Sequence, residues 1–148
     1  MSGVLRPILV VEDNANDLEL MLEGLSEHQL ANPIVVTRNG EEALDYLFRR
    51  GAHAQRPAGE PAVVLLDLKM PKVDGLEVLR IVKAEPGLRR VPIVMVTSSR
   101  EEADLVRSYE LGVNGYVVKP VNFSDFMTAM RSLGAFWAVL NEPPPSGG

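Results

Sequence analysis

The sequence predicts an α/β fold: a doubly wound, five-stranded parallel sheet with five helices on its two faces. Three observations carry this. Short runs such as ILVV, IVVT, AVVLL, PIVMV and GYVV are too apolar to be anything but buried strands. Each is followed by a longer segment whose apolar residues recur at helical spacing. Polar groups stand directly after four of the runs: Glu12 and Asp13, then Asp67, Thr97 and Lys119.

Taken in order, Ile8 to Val11 is a continuous apolar strand. Asn14 can cap a helix from about Ala15 to Leu30, with Leu18, Met21, Leu22 and Leu25 on one face, and Pro33 stops it. Ile34 to Thr37 is the second strand. Asn39-Gly40 then turns into a helix that aligns Ala43, Leu44, Leu47 and Phe48. Gly51 to Pro61, rich in Gly, Ala and Pro, reads as a loop. Ala62 to Leu66 is the third strand, and Lys72 to Asp74 lead into GLEVLRIVKAE, which Pro86-Gly87 ends. Pro92 to Val96 is the fourth strand, Arg100 to Leu111 a charged helix, and Tyr116 to Val118 the fifth strand. Asn122 caps a last helix reaching about Leu140, and Asn141 to Gly148, with three prolines, reads as a disordered tail. The expected strand order is the flavodoxin-like 2-1-3-4-5, which brings the ends of the first and third strands together.

The 148 residues suffice for one domain with a full core, and an apolar content of 46% excludes a disordered chain. A net charge of −5 argues against nucleic acid as a partner. With no cysteine there is no disulfide, thiolate metal site or cysteine nucleophile, in keeping with a cytoplasmic setting. The start MSGVLRPILVVEDN lacks the pattern of a signal peptide, and no apolar run approaches the ~18 residues of a membrane span.

In a parallel α/β sheet the carboxyl ends of the strands converge on the functional crevice. Glu12, Asp13 and Asp67 should therefore meet there, beside Thr97 and Lys119. Crowded carboxylates repel and take up protons unless a cation neutralises them. Mg2+ suits such a site, since it takes oxygen ligands and tolerates retained waters. Asp13 and Asp67 are the expected direct ligands, Glu12 acts through water, and a backbone carbonyl just after Asp67 could add another. An aspartate carboxylate can attack phosphorus. Lys119 would then supply a point charge, Thr97 a hydroxyl donor, and Ser98 a backbone N–H. A cis Lys119-Pro120 bond would aim the lysine back over the strand ends. Taken singly, Thr97 reads as a β-former and Lys119 as a solvated charge; the set is what carries the reading.

The motifs VVEDN, LLDLKMPKVDGLEVL, PIVMVTSS and GYVVKP, in this order and spacing, resemble the response regulator receiver domain of two-component signalling, over about Pro7 to Leu140. The resemblance implies a receiver unit over residues 1–140 that takes a phosphoryl group from a sensor histidine kinase on Asp67. It implies that Glu12 and Asp13 form the acidic pair, that Thr97 and Lys119 contact the phosphoryl group, and that Tyr116 acts as the switch aromatic with Thr97. The carbonyl ligand falls on Lys69, where asparagine is frequent in the family. The expected activity is self-catalysed phosphotransfer and autodephosphorylation, without turnover of a separate substrate. The long loop from Gly51 to Pro61, the segment SYELGVNGYVVKP and Phe136-Trp137 resemble, more narrowly, the single-domain regulators paired with bacterial phytochrome kinases. That implies a bacteriophytochrome as kinase and a homodimer.

Phe126, Met130, Leu133, Trp137 and Leu140 follow a 4-3-4-3 spacing on the last helix, widened by Phe123, Met127 and Phe136. Part of this stripe packs on the sheet. Its width and aromatic end mark a homodimer surface, with the fourth helix and fifth strand contributing. His28 and His53 read as isolated, and Arg49-Arg50 and Arg89-Arg90 as solvated charges. A phosphatase with a nucleophilic aspartate is the rival enzyme class, but its acid/base position, two residues after Asp67, holds Lys69. A nucleotide-binding module would need a Gly-rich phosphate loop where EDNAND stands. A phosphate-independent scaffold is the remaining alternative.

Overall fold

The computed structural model describes residues 6–27, 32–122 and 124. Five parallel strands, β1 (Ile8–Val11), β2 (Ile34–Thr37), β3 (Val63–Leu66), β4 (Ile93–Thr97) and β5 (Gly115–Val118), form one sheet in the order β2-β1-β3-β4-β5. Between them run α1 (Ala15–Glu27), α2 (Gly40–Phe48), α3 (Gly75–Ala84) and α4 (Glu102–Glu110). Four α-helices are thus seen among the described residues. The expected last helix, with Phe126, Met130, Leu133, Phe136, Trp137 and Leu140, and the segment 141–148 lie outside them, as does His28. No helix among the described residues is long and apolar enough to cross a membrane.

In the central strands β1, β3 and β4 the continuous apolar runs are explained by burial on both faces. The edge strands β2 and β5, expected to be buried, are largely half-buried because each has a neighbour on one side alone. Leu9 and Val11, Val64 and Leu66, and Ile93 and Met95 point to one side, where they pack with Ala43, Leu44 and Leu47 of α2 and Val78, Leu79 and Val82 of α3. Ile8 and Val10, Val63 and Leu65, and Val94 and Val96 point to the other, onto Met21 and Leu25 of α1. A strand with period-2 side chains and a helix layer on each face has no polar side to show. The register sets Val11 beside Leu66 and Thr97 beside Val118, so the residues after β1, β3 and β5 emerge at one edge.

Several boundaries differ by a residue from the sequence expectation, and three differences have a clear physical reason. Thr97 pairs with Val118 and is therefore the last residue of β4 rather than the first beyond it. The fourth helix starts at Glu102, because Glu101 N–H bonds the Ser99 hydroxyl at 3.3 Å and keeps the preceding turn out of the helix. The segment after α2 opens with a 3-10 turn, Gly51–His53, reached through Arg49 at φ 56°. Arg56 holds this segment in place: its guanidinium bonds the carbonyls of Tyr46, Pro57 and Gly59 at 2.6, 2.8 and 2.9 Å and stacks 4.2 Å from the Tyr46 ring.

Two side chains have neighbours that the sequence did not show. Arg50, still exposed, pairs with Asp45 at 2.9 Å and lies over the Phe48 ring. His53 sits edge-on to Tyr46 and 3.6 Å from a Glu42 carboxylate oxygen. In both cases the loop folds back on α2, a contact that spacing along the chain does not reveal.

Candidate functional site: an acidic pocket at the strand ends

Backbone pairing delivers the acidic residues to one place. Glu12 N–H bonds Thr37 carbonyl at 3.1 Å and Asp67 N–H bonds Val11 carbonyl at 3.1 Å, extending the sheet by one residue past β1 and β3. Glu12, Asp13 and Asp67 each present a carboxylate oxygen, and the three lie within 4.8 Å of one another. Glu12 is 1% exposed and Asp67 7%, whereas Asp13 is more open. An all-oxygen set of this kind can hold a hard divalent cation.

Lys119 closes the pocket from β5. Its N–H bonds the Thr97 carbonyl at 2.8 Å, and the Lys119-Pro120 peptide that follows is cis. The ammonium reaches Glu12 at 2.6 Å, Asp17 at 2.9 Å and Asp67 at 3.5 Å. Burial pulls the lysine pKa down. The hydrogen bonds to Glu12 and Asp17 and the charge of Asp67 outweigh that, and the net shift is upward. Glu12 moves the other way from an ordinary carboxylate. Burial raises its pKa to about 7, with Asp67 adding to the rise and the Lys119 hydrogen bond opposing it. One ammonium is thus shared among more carboxylates than it can neutralise.

Thr97 is fully buried at the end of β4, and its hydroxyl accepts a 3.3 Å bond from Ser99 N–H. Ser98 is exposed beside it. Tyr116, opposite Met95 in the ladder, is partly buried, and its hydroxyl donates to the Ser99 carbonyl at 3.2 Å. Lys69 lies two residues past Asp67 and is exposed, with its carbonyl in the β3–α3 loop. The structure thus gathers Glu12, Asp13, Asp67 and Lys119 into one cluster and sets Thr97 and Ser98 on the neighbouring strand end.

Other members escape a reading of the sequence. Asp17 joins from the first turn of α1, where Asn14 caps the helix by accepting Asp17 N–H at 2.9 Å. Arg38, just past β2, donates to the carbonyls of Glu12 and Asp13 at 3.1 and 3.0 Å. Gly75 lets α3 start against the Asp67 loop: its N–H bonds Leu68 carbonyl at 2.8 Å, and a Cβ there would strike the Asp67 carbonyl oxygen. Arg38 was open to discovery, since β2 neighbours β1 in the expected order; nothing local singles out Asp17 or Gly75.

Residues 8–131 match the family model for the response regulator receiver domain. The chain is a response regulator receiver. It is 38% identical over 130 residues to response regulator Rcp1 of Synechocystis sp., covering 88% of this chain and 87% of that protein. The Mn2+-bound structure of Rcp1 superposes with a TM-score of 0.76 at 36% identity, over 95% of this receiver and 99% of that chain. The bacteriophytochrome response regulator AtBRR gives a TM-score of 0.84 at 66% identity, over 93% and 99% of the two chains. The phosphorylated cyanobacterial phytochrome response regulator RcpA gives 0.77 at 37%, over 96% and 100%. The acidic cluster of this receiver is consistent with divalent metal binding and phosphorylation, as in its family.

Proposed function

We propose that Asp67 is the phosphoacceptor of this receiver and that a sensor histidine kinase, of the bacteriophytochrome class, is the donor. The observation that carries this is the gathering of three carboxylates and the Lys119 ammonium at adjacent strand ends. A carboxylate oxygen of Asp67 attacks the phosphorus of phosphohistidine. A phosphorus–oxygen bond forms, the phosphorus–nitrogen bond breaks, and its electron pair stays on the imidazole. Lys119 stabilises charge on the phosphoryl oxygens, and Thr97 and Ser98 supply donors from the next strand end. Asp13 and Asp67, Glu12 through water, and the Lys69 carbonyl would hold Mg2+, which offsets charge on the transferring group when bound. In the phosphorylated state Thr97 turns toward the phosphoryl group and Tyr116 takes up the space it leaves.

The output then passes by contact with other proteins, through a homodimer built on the last helix with α4 and β5. The phytochrome connection is supported by the names of AtBRR and RcpA, and the metal by the Mn2+ in the Rcp1 structure. The unit we assign to this activity spans residues 1–140 and works in the cytoplasm, with no membrane or nucleic-acid partner and no turnover of a separate substrate. Intact-mass measurement after incubation with acetyl phosphate tests the assignment. The wild type should gain one phosphoryl group only when Mg2+ is present, and Asp67→Asn should gain none. A phosphorylated Asp67→Asn chain would place the acceptor elsewhere.

A further inference from the structure

Arg38 is exposed, yet among the described residues its guanidinium is not spent on a carboxylate. It spans two consecutive carbonyls, with Nε on Glu12 and Nη2 on Asp13, at 3.1 and 3.0 Å. These carbonyls lie ahead of the first turn of α1, whose opening backbone bond runs from Leu18 N–H to Asn14 carbonyl at 2.9 Å. The turn that aims the Asp13 carboxylate is thus held from outside by a planar fork matched to two neighbouring acceptors. The arginine is itself anchored. Its N–H bonds Glu42 Oε1 at 2.8 Å, while Glu42 N–H bonds the Asn39 side chain at 2.8 Å to cap α2. The start of α2 and the acidic turn after β1 are therefore coupled through one residue, by its backbone N–H on one side and its guanidinium on the other.

We propose that Arg38 is a positioning residue for the divalent cation, acting through the Glu12–Asp13 backbone. This rests on the metal reading of the acidic pocket given above. The proposal has a sign that separates it from simple electrostatics. A positive charge near a cation site repels the cation, so if charge were its main effect, removing Arg38 would tighten binding. If it positions the ligands, removing it loosens binding. Groups that support metal ligands without touching the metal typically change affinity by about 10- to 100-fold.

The test is Mn2+ titration followed by the electron paramagnetic resonance signal of the free ion, for the wild type, Arg38→Met and Arg38→Lys. Both variants should bind Mn2+ about tenfold more weakly. Arg38→Lys should fail as well because an ammonium keeps the charge without the fork. Thermal midpoints in EDTA should stay near that of the wild type, and phosphorylation by acetyl phosphate should recover at saturating Mg2+. Unchanged or tighter Mn2+ binding in Arg38→Met, with the wild type binding normally, overturns the positioning role and leaves the pocket reading intact. A wild type that binds no Mn2+ overturns both.

Discussion

Lys119 carries much of the electrostatic weight of the pocket, since its ammonium reaches Glu12, Asp17 and Asp67 together. Removing one partner from a buried ion pair leaves an uncompensated charge, at a cost of about 3 kcal/mol. Lys119→Met should therefore lower stability in EDTA by about that amount, and Mg2+ should restore part of it; urea titration with and without Mg2+ checks both. Glu12 gives a pH dependence of defined sign. Unfolded, it releases its proton near 4.5; folded, it keeps it to about 7. Rising pH across that window destabilises the fold through this group, and the effect levels off above it. Glu12→Gln carries no such proton, so its stability advantage in EDTA should be small at pH 5 and larger at pH 8. A larger advantage at pH 5 would show that the buried carboxylate is not what titrates. Both side chains were legible in the sequence because each follows an apolar run. Their unequal burial was not, since it depends on which strands flank them.

Helices α2 and α3 start against the site, and their first residues explain why. Asp74 caps α3 by accepting Glu77 N–H at 3.0 Å, and Gly75 then lies against the Asp67–Leu68 backbone. A Cβ on Gly75 would also come within 2.8 Å of Leu68 Cα, and because the obstacle is backbone it cannot turn aside. Gly75→Ala should cost about 2–3 kcal/mol, the upper range for overpacking, and should slow phosphorylation of Asp67 by displacing its loop. Chemical denaturation and acetyl phosphate kinetics report the two effects; a variant as stable as wild type would mean that α3 can shift freely. Gly40 plays the same part for α2, where a Cβ would strike the Val73 carbonyl oxygen. The sequence showed Asp74-Gly75 and Asn39-Gly40 as helix starts. That each glycine is required by a close approach, not by turn geometry, follows only from the packing.

Across the whole molecule, two faces of the sheet are covered by helices while α4 leaves Leu105, Val106 and Tyr109 at 38%, 48% and 53% exposure. This apolar surface adjoins β5 and supports the proposed homodimer. Light scattering should find a dimer at micromolar concentration, and Tyr109→Glu should shift it toward monomer. A wild type that stays monomeric with and without phosphorylation removes the dimer from the mechanism.

The sequence by itself determined the α/β class, the five strands and the polar groups that follow them, because a strand buried on both faces must be uniformly apolar until it ends. It also carried the receiver motifs. Tertiary structure alone decided how those groups share charge. Lys119 and Glu12 are separated by 107 residues in sequence, and only the order β2-β1-β3-β4-β5 and the closure of the pocket from β5 place them 2.6 Å apart. Two supports of the site, Asp17 and Gly75, belong to that same level. Their roles arise from what lies across the pocket, and a pattern along one chain carries no signal for it.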